Sequence, residues 1–444
     1  MPKLLQAVMD SLHHPDLRRK LLFTFGILVV FRFAAHIPLP GVDVGALRET
    51  LDAIPALAML DLFAGGAMRN LSIVAVGIFP YITASIIMQL MVPVIPRLQM
   101  LSREGEGGRN KLKQYTLWLT VPMAMLSGYG QLVLFSRPMV AGVPAAISGV
   151  GLSGELLLPT ISMVLSLTAG TMLLVWLGER ITEGGIGNGI SIIIFGGIVA
   201  GMPEQIGRTY VVAELWGVMM LLLMLGALAL LIVFVTEGHR RIPVQYSKST
   251  FRGGRVYRQS GGTHIPLRVN SAGMIPIIFA FAVIMFPATI ATWFANPPGV
   301  DPNFANWIID NFTAGGDFWW AYYSFLFLLV LGFTFFYTII TFEQQNIPET
   351  LQKQGAFIPG IRPGRSTAEY VNGVLMRITW GGAIFLGFVA ITPVIGQWMA
   401  GVPLHEPVMI IGGVGLLIVV GVVLDTMRQM EAQLLMRHYE GFIK

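Results

Sequence analysis

Side chains able to do chemistry are plentiful in this chain, yet of 29 Lys and Arg and 24 Asp and Glu only Arg32 falls near the middle of an apolar run. Ion-coupled carriers keep Asp, Glu or His at bilayer depth, where charge is costly and retained for a role. A buried carboxylate relay is therefore not expected. Gly184, Gly185, Gly187 and Gly189 have the composition of a phosphate-cradling loop, but no Lys-Ser/Thr follows and no strand precedes. A tight reversal between two helices is the better account. No Walker loop, HExxH or nucleophile constellation occurs, and no paired Asp or Ser-His lies within the runs for intramembrane proteolysis. With no cysteine, disulfides and thiolate chemistry are absent. No enzymatic activity, metal or cofactor is expected.

What remains is a pattern of neutral residues. In the run Gly77 to Gln89, residues Ile78, Ile82, Ser85 and Gln89 fall on one helical stripe. Two readings stand: helix packing with Gln89 as interhelical glue, or the lining of a passage. Basic residues gather in three loops, Arg97 to Lys113, Arg240 to Arg268, and 342–373 with Lys353, Arg362 and Arg365. Such loops enforce topology and touch anionic headgroups. The second also alternates Ile242, Val244 and Tyr246, then Val256 and Tyr257, around Gly253-Gly254, which predicts a projecting hairpin. A long loop with structure of its own is usually functional. Its charge suits an acidic partner surface or RNA.

The elements that must position these residues are membrane spans. A composition of 54% hydrophobic and 12% charged residues marks an all-α polytopic membrane protein. Continuous runs of about 20 residues exclude the short alternating strands of an outer-membrane barrel. Spans are predicted near 21–38, 74–92, 114–135, 156–178, 186–201, 215–236, 271–294, 318–341, 374–396 and 408–427. The first, followed by Pro38-Leu39-Pro40-Gly41, reads as a retained span rather than a signal peptide. An even number puts both termini on one side. The opposite loops hold only Arg48, Arg69, Arg137 and Arg208, so that side is cytoplasmic. Ten spans divide into five plus five near 202–214, giving halves 1–205 and 206–444 that face opposite ways, with the passage between them. Phe79-Pro80 and Phe286-Pro287 echo each other across the halves. Arg32 is expected to face a neighbouring helix or snorkel outward, a structural role.

Several of these runs carry a resemblance. Gly77 to Gln89, Ile181-Thr182-Glu183 to Gly197, Pro266 to Asn270, Phe286 to Ile290, and Gly355 to Gly364 resemble the SecY family of protein-conducting channels. The resemblance extends over essentially the whole chain, including Ile37 to Gly41. It implies a clamshell of two five-helix halves around an hourglass pore. At the waist it implies Ile78, Ile82, Ile194, Ile278 and Ile418, with the smaller Ala282 near a sixth position. It further implies a plug, a short helix over about 57–71 around Asp61, Phe63, Gly65 and Gly66. A lateral gate would lie between spans 2–3 and 7–8, with Ser85, Gln89 and Asn270 as its polar cluster and a buried Gln89–Asn270 amide pair holding it shut. Arg362, supported by Arg240, Arg241, Lys248 and Arg255, would dock the motor ATPase SecA and the ribosome. Pro243 and the stretch Thr250 to Gly254 depart from the family pattern in that hairpin.

What the resemblance implies for function is passive conduction. Unfolded secretory chains would be threaded outward across the bacterial plasma (inner) membrane, and apolar segments released sideways into lipid. A narrow ring of branched aliphatics dewets, so it seals against ions without preferring any one sequence. Energy would come from SecA, the ribosome and the proton motive force. Implied partners are the small subunits SecE and SecG, SecDF, YidC, signal peptides and nascent chains, and anionic lipids. The alternative is a secondary solute transporter with inverted repeats. That reading needs a polar midplane site, for which the chain offers only Gln89, Asn270 and Arg32.

Overall fold

The computed structural model describes residues 15–53, 64–136, 143–147, 149–151, 154–246, 249–252, 255–258, 262–296, 301–311, 318–345, 351, 355–362, 364–400 and 413–440. Helix α1 (Pro15–Ala34) has Asp16 in its first turn and Arg32 in its last, charges that favour the two ends of the helix dipole. It starts earlier and stops sooner than hydropathy suggested, so Arg32 lies at its end and not at mid-span. After it come α2 (Val44–Ala53) and a 3-10 turn, Met68–Asn70. Helix α3 (Phe79–Val94) carries Pro80 in its first turn, where the missing N–H costs nothing. It bends by 103° into α4 (Pro96–Arg103) at another proline. Next are α5 (Glu106–Phe135) and α6 (Leu157–Gly184).

Helix α7 (Gly189–Glu237) runs for 49 residues, broken only at Glu214 with φ 52° and ψ −161°. Unbroken it would extend about 74 Å at 1.5 Å per residue, roughly twice a bilayer; its part Glu214–Glu237 is long and apolar enough to span, and Gly189–Pro203 is a shorter apolar helix. The helix continues through 202–213, near the expected division between the halves. Hydropathy reports only the apolar part of a helix, which can continue into a polar stretch. The remaining helices are α8 (Ile275–Phe294), α9 (Phe304–Asn311), α10 (Trp319–Gln345), α11 (Arg365–Ala400) and α12 (Gly413–Glu440).

The protein is a multi-pass membrane protein, and its helices follow the expected span order. By length and composition alone, 6 described segments could cross a bilayer, or 7 if the bent pair α3–α4 is one span. Gly189–Pro203 and Ile275–Ile284 are shorter apolar helices. Helix α1 carries Arg18, Arg19, Lys20 and Arg32 along its length, more charge than an uninterrupted apolar span. Leu223, Leu230 and Phe234 on α7 and Leu328 on α10 stand exposed, as lipid-facing residues would.

The expected hairpin is present. Strand β1 (His239–Tyr246) pairs antiparallel with β4 (Gly262–Arg268), with Ile242 opposite Ile265. Its tip is a second pair, β2 (Ser249–Arg252) with β3 (Arg255–Arg258). A short strand from the following loop, β5 (Ala356–Phe357), adds to β1 and gives the order β4-β1-β5. Alternation sets the faces: Ile242 and Val244 are buried with Leu267, Leu351, Ala356 and Ile358, while Arg241, Pro243 and Gln245 are exposed. Pro243 lacks a donor, and β5 reaches only Gln245 and Tyr246, so the proline sits beside an unpaired stretch.

Candidate functional site

The aliphatic stripe begins one residue before its helix. Gly77, with φ +66°, turns the preceding segment into α3, and Ile78 then acts as N-cap. Its carbonyl accepts the N–H groups of Tyr81 at 3.0 Å and Ile82 at 3.1 Å. The second span had been expected from residue 74; the left-handed glycine and Pro80 delay the helix to Phe79. Ile78, Ile194 of α7 and Ile418 of α12 are buried in one apolar cluster, and Ile82 packs against it. Ile278 is buried on α8, next to Ile277 of the same cluster. Ala282, one turn on, is half-buried. Such side chains can neither donate nor accept a hydrogen bond, so these positions offer no acid–base chemistry.

The described part of the expected plug contributes Ala64, Ala67, Met68 and Leu71 to this same cluster. Asp61 and Phe63 fall outside the described residues. Gly65 and Gly66 form a turn with φ +69° and +79°, and the chain then passes through the Met68–Asn70 turn rather than an α-helix. Ala67, Met68, Leu71, Val74 and Ala75 are fully buried. Two backbone bonds hold the segment to the end of α1: Leu39 N–H to the Leu71 carbonyl and Ile73 N–H to the Ile37 carbonyl, both 3.1 Å. Gly170 of α6 sits directly against the Ile73 carbonyl, in a space that a Cβ would occupy. Arg32 Nη1 donates to the Gly65 carbonyl at 2.8 Å, a partner with no signal in the sequence.

At the expected gate the polar residues do not pair as anticipated. Gln89 Nε2 donates to Ser85 Oγ at 3.2 Å, one turn back on α3. Asn270 is buried between β4 and α8, and its Oδ1 has no hydrogen-bond partner among the described residues. Its backbone lies against Gly382 of α11, 3.7 Å from where a Cβ would stand. Helix α8 does meet both α3 and α5. The partner that Gln89 does find is the i−4 hydroxyl on its own helix, and the expected amide pair with Asn270 is not formed.

On the sheet, Arg240 and Arg241 are exposed, and Arg241 Nε donates to His239 Nε2 at 3.1 Å. Arg255 opens β3, and Lys248 lies outside the described residues. Arg362 is exposed just beyond β5, its carbonyl accepting Thr367 Oγ1 at 2.9 Å. The β1–β5 pairing joins the loop that carries Arg362 to the strand that carries Arg240 and Arg241.

The glycine cluster is the tight reversal expected, between α6 and α7. Asn188 caps α7 by accepting the N–H groups of Ile190 and Ser191, and Gly189 packs onto the Gly178 carbonyl. The end of α12 clasps this turn, a contact that sequence reasoning missed. Gln429 Oε1 accepts Gly187 N–H at 2.8 Å, and Gln433 Oε1 accepts Lys20 Nζ at 3.4 Å. Arg428 pairs with Glu237 at 2.7 Å. These partners lie hundreds of residues apart, beyond any periodicity.

The chain is thus a multi-pass helical membrane protein in which distant helices share one apolar cluster and two loops form a basic β-sheet. That architecture has solved counterparts. A solved protein-conducting channel superposes with TM-score 0.60 at 16% identity, covering 94% of this chain and 92% of that one. Sec61 in a canine ribosome-channel complex gives 0.60 at 15% identity, with the same coverages of 94% and 92%. The SecY family model matches residues 72–427. The protein translocase subunit SecY of Halalkalibacterium halodurans is 44% identical over 97% of both chains. That of Escherichia coli is 41% identical, covering 97% of this chain and 94% of its own. The chain belongs to the SecY family.

Proposed function

We propose that this chain is the channel-forming subunit of a protein translocase, conducting unfolded secretory chains through the aliphatic cluster and releasing apolar segments sideways. One observation carries the reading: Ile78, Ile194 and Ile418, from distant parts of the chain, are buried in one apolar cluster, and Ile82 packs against that cluster. Ile278 completes the ring in this reading. A solute carrier would need a polar site there, and these residues provide none. The name protein translocase subunit, borne by relatives of nearly the same length, points the same way.

In this reading residues 1–205 and 206–444 form the two halves, and the chain passes between them. Both termini face the cytoplasm, and the membrane is the bacterial plasma membrane. The segment 57–71 is the plug; Asp61, Phe63, Gly65 and Gly66 belong to it. Ser85, Gln89 and Asn270 line the lateral gate, where a segment of about 20 apolar residues gains by leaving for lipid. The sheet platform with Arg240, Arg241, Lys248, Arg255 and Arg362 receives SecA or the ribosome. A ribosome complex of a structural neighbour supports the latter. The small subunits SecE and SecG complete the channel, with SecDF and YidC as further partners. Energy is supplied from outside this subunit.

Because the chain has no cysteine, single cysteines can be introduced without background. With a stalled secretory precursor, crosslinks are expected at positions 78, 82, 194, 278 and 418. Adducts concentrated instead at Trp118 and Phe234, which are 79% and 78% exposed on the outer surface, would overturn the assignment.

A further inference from the structure

We propose that Arg32 is a positioning residue that latches the turn at Gly65 onto helices α1 and α7 and so sets how readily the channel leaves its closed state. The inference rests on the channel reading above. Three contacts converge on Gly65. The guanidinium of Arg32 donates to its carbonyl at 2.8 Å. The ring of Phe31, the preceding residue on α1, lies where a Gly65 side chain would begin, 2.9 Å from an ideal Cβ. From the other side comes Gly197 of α7: a Cβ built on it would stand 2.5 Å from Gly65 Cα. Backbone meets backbone there, and only glycine at both positions permits the approach.

The latch is coupled to the constriction through α7. Gly197 lies three residues after Ile194, about 4.5 Å along the same helix axis. Any chain that widens the cluster at Ile194 by displacing α7 from α1 also draws Gly197 away from Gly65. The glycine contact then opens, and the arginine bond and the Phe31 ring are what still hold the Gly65 turn to α1. One charge-assisted hydrogen bond suits a latch. In a site of low dielectric it is strong enough to bias the closed state, yet a single bond can be broken without unfolding anything. Arg32 is half-buried at the end of α1, where the helix dipole favours a cation, so the charge is kept for this contact at modest expense.

The test uses the full chain assembled with its partner subunits. Its readout is export of a precursor with a defective signal sequence divided by export of the same precursor with an intact one. Arg32→Met is expected to raise that ratio about tenfold, the factor carried by a charge-assisted hydrogen bond of ordinary strength. Arg32→Lys should return most of the change, because an ammonium still donates. An unchanged ratio at normal accumulation, or an equal fall in both exports, overturns the latch. Should Arg32→Met fail to accumulate, Gly197→Ala supplies the answer, since it leaves the guanidinium in place and adds one methyl at the contact. It should move the ratio in the same direction, and no change would again overturn the proposal. Precursor crosslinks at the isoleucines with an unmoved ratio sink the latch alone, whereas their absence sinks the channel reading itself.

Discussion

In the proposed channel two places would part for a polypeptide to pass, and they are built in opposite ways. The segment 64–78 is seated by backbone contacts and side chains excluded from solvent: Gly65 on Gly197, Ile73 on Gly170, and Leu71 and Ile73 bonded to the end of α1. The seam where α8 meets α3 and α5 has no such fastening among the described polar groups at the expected gate. Gln89 is satisfied within α3, and the buried Asn270 Oδ1 has no partner among the described residues. A seat held by close packing resists small displacements, because a close-packed contact is lost steeply with distance. A buried amide oxygen without a partner costs free energy that an entering polar group or water would return. In the proposed channel the seat would therefore be the firmer of the two.

The sharpest way to break this comparison is at the seat. Gly170→Val would push branched carbon into the Ile73 carbonyl and is expected to cost roughly 3 kcal/mol by overpacking, read as lost accumulation and a lower unfolding temperature in detergent. An unaltered protein would show that the seat yields more than its packing suggests. At the seam the sign reverses. Asn270→Leu removes the orphaned oxygen and is expected to stabilise the closed protein by about 1 kcal/mol, with export of weakly apolar signal segments falling in parallel. Destabilisation instead would mean that the amide has a partner in the resting state. The smallest effect belongs to Gln89→Leu. It loses one intrahelical contact to Ser85, about 0.5 kcal/mol or less, and should leave the unfolding temperature nearly unmoved. A large drop there would reinstate a bond from Gln89 across the seam.

Local features were legible because their cause is local. The 240–268 hairpin followed from alternation at Ile242, Val244 and Tyr246, and the reversal at 184–189 from its glycines. Span order followed from apolar runs. Errors came where a run and a helix differ in extent. The second span starts at Phe79 because Gly77 adopts a left-handed conformation, and the fifth continues past residue 201 because a helix need not stop where its apolar stretch does. The β5 addition to the hairpin left no signal, since two residues of strand have no period.

By itself, the sequence determined that this is a helical membrane protein without charge at its centre, that Ile78 and Ile82 share a stripe, and that a basic hairpin projects from one end. Helix and hairpin hydrogen bonds close over a few residues, so residue type and spacing encode them. Only the tertiary structure decided that Gln89 turns to Ser85 and not to Asn270, that β5 joins the two basic loops, and that Arg32 finds the Gly65 carbonyl. A donor bonds whichever acceptor the packing brings within 3 Å or so. That choice depends on how α1, α3 and α7 come together, which no local pattern records.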